Sequence, residues 1–163
     1  MELTELSDDE PVLFSITDNV GLPYRVKFFP DDYSPQFFVY DQQVKIGHAY
    51  CQVHGKTLYL ADICISDAAY VPCSRFKFWL RWLFRVKPPT RDYCGHGLGS
   101  ALLRLFIDKA REGGFHEITG EVKRSDPRVA PTLLDWYRRY GFTVTPGEGK
   151  PNVIASLRMK LTS

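Results

Sequence analysis

No uninterrupted apolar run in this chain of 163 residues approaches the ~20 residues that a membrane-spanning helix needs. The opening MELTELSDDEP is acidic and polar, the reverse of a secretory leader, and the expected location is cytoplasmic. Cysteine is sparse, and Cys51, Cys64, Cys73 and Cys94 show no tight pairing pattern, so they read as reduced thiols of a cytosolic protein. Charge of either sign is nearly balanced: a net +2 and a pI near 8.3 are too mild to argue for a nucleic-acid partner. No internal repeat and no low-complexity tail is present. Neither the G-x-x-x-x-G-K-[ST] phosphate loop nor the G-x-G-x-x-G dinucleotide fingerprint occurs. What remains, 44% hydrophobic and 25% charged, describes one ordinary soluble domain over residues 1–163 with a real core.

Strand signals come first along the chain. Residues 11–17 and 24–29 are rich in β-branched and aromatic side chains. Residues 37–41, 44–53 and 57–66 follow, separated by links short enough for hairpins, which predicts an antiparallel meander. After residue 97 the period changes. Leu102, Leu103, Phe106, Ile107 and Ala110 share one helical face and Arg104, Asp108 and Arg111 the other, with Gly113-Gly114 as the stop. HEITGEV (116–122) reads as a strand, and strand–helix–strand implies a parallel crossover. Pro131 then suits the first position of a helix through Tyr140, and two final strands follow. The fold class is α+β: a mixed, largely antiparallel central sheet flanked by helices.

The densest signal is DYCGHGLGSALL, residues 92–103, with Gly95, Gly97 and Gly99 at the mouth of a helix. Glycine costs conformational entropy and packs nothing, so this stretch needs either a sharp turn or close approach to bare backbone. A glycine turn entering a helix N-terminus also makes an anion site, since unbonded N–H groups and the positive helix end point the same way.

Two motifs in order resemble the GNAT superfamily of acetyl-CoA-dependent N-acyltransferases. Cys94-Gly95-His96-Gly97-Leu98-Gly99 stands where that family has [RQ]-x-x-G-x-[GA], and Trp136-Tyr137-Arg138-Arg139-Tyr140-Gly141-Phe142 matches its aromatic-Tyr-x-x-x-Gly-Phe helix end. The matching region runs from about residue 36 onward. The resemblance implies that acetyl-CoA is the acyl donor, with its pyrophosphate on the backbone of residues 95–100, Ser100 included, and with no metal. Ile63, Cys64 and Ile65, near the end of the strand counted as the family's fourth, would pair with the pantetheine amides as a peptide adds to a sheet edge. Cys94 departs from the family's Arg or Gln and cannot add a cationic contact, which would shift that role to Arg91 or Lys87. Cys94 is either a reactive thiol with a pKa lowered by the helix end or a small residue tolerated in a turn.

Acyl transfer needs a neutral amine, and a proton for the departing thiolate. By resemblance Tyr137 is the general acid; the competing reading is a half-buried aromatic packing its helix. Asp62 is the candidate base, set by period-2 alternation between Leu60 and Cys64 and opposite Tyr59, Ala61, Ile63 and Ile65. Glu121 is the second candidate. His48 and His54 share a strand face from which Cys51 points away, a poor metal site.

Residues 67–93 exceed the family pattern. Lys77, Arg81 and Arg85 oppose Phe76, Trp79, Leu80 and Leu83, the pattern of a short amphipathic helix closed by Pro88-Pro89. Between the strands at 24–29 and 37–41 stand only PDDYSPQ, too few residues for the family's two acceptor-site helices. The insertion is therefore read first as a lid over the acceptor, then as a subunit interface such as a homodimer's, and last as a membrane-surface anchor. The expected acceptor is a small-molecule or peptide amine. Two other functions stay open: an acyl-CoA-binding module without catalysis, and a peripheral membrane or protein-interaction domain.

Overall fold

The structure, a computed structural model, describes residues 11–67, 69–70, 90–124, 131–147 and 149–161. The inserted helix expected over 75–87, with its lid, interface and anchor readings, lies outside the described residues, as does Lys87.

The strands are β1 (Val12–Thr17), β2 (Pro23–Phe29), β3 (Gln36–Asp41), β4 (Val44–His54), β5 (Thr57–Ile65), β6 (Ala69–Tyr70), β7 (Thr90–Arg91), β8 (Glu117–Lys123), β9 (Thr143–Pro146) and β10 (Val153–Lys160). The described helices are α1 (Leu98–Glu112) and α2 (Pro131–Arg139). Eight strands form one sheet in the order β1-β2-β3-β4-β5-β8-β10-β9, while β6 and β7 pair separately. The α+β class and the mixed, largely antiparallel sheet are as the order of strand and helix signals implied. The crossover through α1 brings β8 parallel to β5, from Thr57 opposite Glu117 to Leu60 opposite Gly120. Loop 30–35 contains no helix, as its length required.

The chain divides into two compact units. Of the described residues, the first comprises those within 11–31, 36–49 and 63–102, and the second those within 32–35, 50–62 and 103–161. In the first, β1, β2 and β3 form antiparallel ladders whose inward residues Ile16, Tyr24, Val26, Phe37 and Val39 are buried. Phe28 stacks on Phe37 with ring centroids 4.5 Å apart. Tyr93 is buried edge-on against Tyr24, and its hydroxyl donates to Asp41 at 2.8 Å. Burial and that carboxylate push the Tyr93 phenol up to about 12, so it stays a neutral donor. Tyr93→Phe keeps the ring but leaves Asp41 short of a donor. Urea unfolding is expected to show a loss of about 1 kcal/mol.

In the second unit, β10 lies between β8 and β9, antiparallel to both. The apolar stripe read from the sequence is the buried face of α1: Leu102, Leu103, Phe106, Ile107 and Ala110 are covered, while Arg104, Asp108 and Arg111 face solvent. Leu102 belongs to the first unit, and the other four buried residues to the second.

α2 begins at Pro131, where a missing N–H costs nothing, and its C-terminus explains the Tyr-x-x-x-Gly-Phe motif. Phe142 N–H donates to Tyr137 O at 3.2 Å and Gly141 N–H to Arg138 O at 3.0 Å, with Gly141 at φ 92. That is a Schellman motif, which needs a left-handed residue at Gly141 and favours an apolar contact across it. Phe142 meets the Tyr137 ring edge-on at 5.5 Å and supplies that contact.

Candidate active site

The glycine loop is placed by the chain on either side of residues 71–89. β6 and β7 pair antiparallel, Ala69 with Arg91 and Tyr70 with Thr90. Beyond β5, Ser66 N–H donates to Ile46 O at 2.8 Å, and Ser66 O accepts from Tyr93 N–H at 3.2 Å. The returning chain therefore runs beside the end of β5, and Cys94 Sγ lies 3.3 Å from Ile65 O. Cys64 Sγ lies 3.5 Å from the same oxygen. Asp92 accepts the Cys94 N–H at 2.7 Å. The end of β5, with Ile63, Cys64 and Ile65, thus stands beside the start of the loop Cys94–Gly99 in the first unit.

Gly95 and Gly97 carry positive φ, 74 and 81, and turn the chain into α1. The first helical bond runs from Ala101 N–H to Gly97 O at 3.0 Å, so the N–H groups of Leu98 and Gly99 precede any intrahelical acceptor. The first turn of α1 holds no acidic residue, which leaves its positive end open to an anion.

Sequence reasoning missed what lies against this loop. The β1–β2 turn is built on Asp18, whose carboxylate accepts N–H bonds from Leu22 at 2.8 Å and Val20 at 3.0 Å and faces the Tyr24 hydroxyl at 3.4 Å. Burial raises the pKa of Asp18, but those donors and the nearby His96 outweigh it and hold the carboxyl below its ordinary value. The next residue, Asn19, donates its N–H to His96 O at 2.9 Å. A Cβ built on Gly97 would meet Asn19 Oδ1 at 2.0 Å. Gly97 is therefore favoured by its backbone angle, and the Asn19 side chain of this same chain also packs close against it. The Asp-Asn-x-Gly sequence signals the turn, but nothing local signals where the turn rests.

Of the two readings of Cys94, the raised pKa favours the second, a small residue tolerated in a turn. Burial raises its pKa, and the carboxylates of Asp92 and Asp67 reinforce the shift. The helix end does not make it an activated thiol; it is a small residue in a turn. Arg91 places its guanidinium over the Tyr93 ring at 5.1 Å.

The second unit holds the acid–base candidates. Tyr137 is buried, against Trp136 at 4.8 Å and Phe142 at 5.5 Å. Asp62 is half-buried on β5, beyond the last β5–β8 pair at Leu60. Buried positions change from the even set to the odd between Leu60 and Ile63, so the face carrying Asp62 is less enclosed than strict alternation implied. Glu121 holds the Lys150 ammonium in an ion pair, and burial together with Glu121 raises the Tyr59 phenol. Among the described residues, no three His, Cys, Asp or Glu side chains gather as a metal would need, and no helix is long and apolar enough to cross a membrane.

A meander passing by a parallel crossover into an α+β sheet, with two helices among the described residues and a glycine loop at the mouth of the crossover helix, is a fold shared with GNAT N-acetyltransferases. No protein-family model matches the chain, and no curated protein matches it by sequence. Solved structures do match. The ribosomal-protein-S18-alanine N-acetyltransferase from Escherichia coli superposes with a TM-score of 0.55 at 18% identity, covering 82% of this chain and 73% of that one. A GNAT family acetyltransferase from Elizabethkingia anophelis, with acetyl-CoA bound, gives 0.53 at 16% identity over 78% of this chain and 76% of that one. Nourseothricin acetyltransferase gives 0.52 at 20% identity over 94% and 86%. At these identities the shared property is the fold.

Proposed function

We propose that this chain is an N-acetyltransferase that moves an acetyl group from acetyl-CoA to a primary amine by direct attack. The observation that carries this reading is the loop Cys94–Gly99 at the open N-terminus of α1, in a chain of this fold. Its backbone donors suit a pyrophosphate and need no cationic side chain, which accommodates Cys94 where the family has Arg or Gln. Gly95, His96, Gly97, Leu98, Gly99 and Ser100 would hold the phosphates. The main chain of Ile63, Cys64 and Ile65, past the last β5–β8 pair, would hold the pantetheine amides. Acetyl-CoA supplies an activated thioester. Asp62 takes a proton from the incoming amine, Tyr137 gives one to the departing thiolate, and the buried surroundings of Tyr137 keep competing water away from that proton. Glu121 is the weaker base candidate because Lys150 already occupies it. The acceptor is a small-molecule or peptide amine, in a single cytoplasmic domain.

Coenzyme A should raise the melting temperature, because only the folded loop binds it. At a concentration about a hundredfold above Kd the gain is about 2.7 kcal/mol, or roughly 5–10 °C for a chain of this size. No shift with either coenzyme A or acetyl-CoA would refute the site. A shift without turnover on any amine would leave a non-catalytic acyl-CoA-binding module, the reading that Cys94 favours.

A further inference from the structure

Two thiols converge on one main-chain oxygen. Cys64 Sγ and Cys94 Sγ lie 3.5 and 3.3 Å from Ile65 O, so the sulfurs are within about 7 Å of each other. A disulfide needs sulfurs ~2 Å apart and Cα atoms closer than ~7 Å. Closing the remaining gap requires movement of one side chain and a short piece of backbone, and the loop offers both. Cys94 is exposed, and a Cβ built on the following Gly95 meets nothing within 4 Å. Cys51 makes a useful contrast. It is buried on β4 and its thiol is pushed up to about 12 by burial, so it is inert.

We propose that Cys64 and Cys94 form a reversible dithiol–disulfide pair that ties the first residue of the glycine loop to the end of β5. The oxidant is a low-molecular-weight disulfide, RSSR. The Cys94 thiolate attacks one sulfur of RSSR and expels RS⁻, giving a mixed disulfide. The Cys64 thiolate then attacks Cys94 Sγ, the second RS⁻ leaves, and each RS⁻ takes up a proton given up by a protein thiol. Two protein thiols are oxidised and one RSSR becomes two RSH. Burial first, and then Asp92, Asp67 and Cys64, act on Cys94 so as to disfavour its thiolate. The first step is therefore slow at neutral pH and speeds up as pH rises.

The effect on coenzyme binding rests on the function proposed above. There the pantetheine lies along Cys64 and Ile65 and the phosphates along residues 95–100, so a bridge over Ile65 O would sit between the two contacts. Losing one such hydrogen bond corresponds to about tenfold weaker binding.

The test equilibrates the full chain with reduced and oxidised glutathione, quenches by alkylation and maps the peptides by mass spectrometry. A Cys64–Cys94 bridge is expected, absent in Cys64→Ser and Cys94→Ser and retained in Cys51→Ser and Cys73→Ser. The coenzyme A thermal shift should shrink in the oxidised protein and return with dithiothreitol. Glutathione adducts alone, or bridges only to Cys73, would overturn the pairing while a reduced-state coenzyme shift left the site intact. A bridge in a protein that coenzyme A shifts in neither state would sink the coenzyme site and leave the pair standing. Equal shifts in both states would overturn the regulatory effect.

Discussion

Tyr137→Phe is expected to lower kcat roughly 10²–10⁴-fold, the range for a lost general acid, with the coenzyme A thermal shift unchanged. The substitution removes one oxygen and keeps the ring. That matters because the ring has a second task, packing on Phe142 across the Schellman motif that ends α2. Tyr137→Ala would remove both and confuse chemistry with the loss of a helix end. Phe separates them: the 5.5 Å ring contact and the cap survive, so the folded state should be largely preserved. Unchanged turnover in Tyr137→Phe would show that the motif is there for capping alone. The comparison to make is steady-state kinetics beside a thermal melt of the same preparation.

Gly97→Val should abolish the coenzyme shift and also destabilise the protein without ligand. The second effect follows from geometry. A β-branched residue at φ 81 is strained by roughly 1–2 kcal/mol, equivalent to roughly 2–8 °C in Tm. Its Cβ would also overlap Asn19 Oδ1 and force that side chain to another rotamer. The companion variant Asn19→Gly separates the two effects. Combined with Gly97→Val it should recover the part of the stability loss due to the clash, while the coenzyme shift stays absent. If Gly97→Val alone binds coenzyme A as the parent does, this loop is not the phosphate site.

Much of the architecture was legible because its signals are local. β-Branched and aromatic runs with short links marked the strands of the main sheet, the Leu102–Ala110 stripe marked the buried face of α1, and Pro131 and Gly141 marked the limits of α2. The order of the last strands was not legible: β10 inserts between β8 and β9, and hydrophobic patterning carries no information on which neighbour a strand chooses. The site divides the same way. The glycine loop can be read from residues adjacent in sequence, whereas Asn19 against Gly97 and Tyr93 on Asp41 are contacts across long stretches of chain. The Cys94 thiol shows why its two readings could not be separated from one neighbour alone. Proximity to a helix N-terminus argued for a lowered pKa, and burial with Asp92 and Asp67 outweighed it.

The hold of the Asp18–Leu22 turn on the glycine loop makes two distant pieces of chain one thermodynamic unit. Asn19 N–H to His96 O is a bond across the two, and the Asp18 carboxylate keeps the turn in the shape that makes it. Coupling of this kind is reciprocal. Whatever steadies the loop also steadies the hairpin that precedes it, and whatever frays the hairpin weakens the loop's hold on its ligand by the same free energy. The strands ahead of residue 36, which carry neither of the two sequence motifs, are in this sense coupled to the proposed coenzyme site without touching what would be bound.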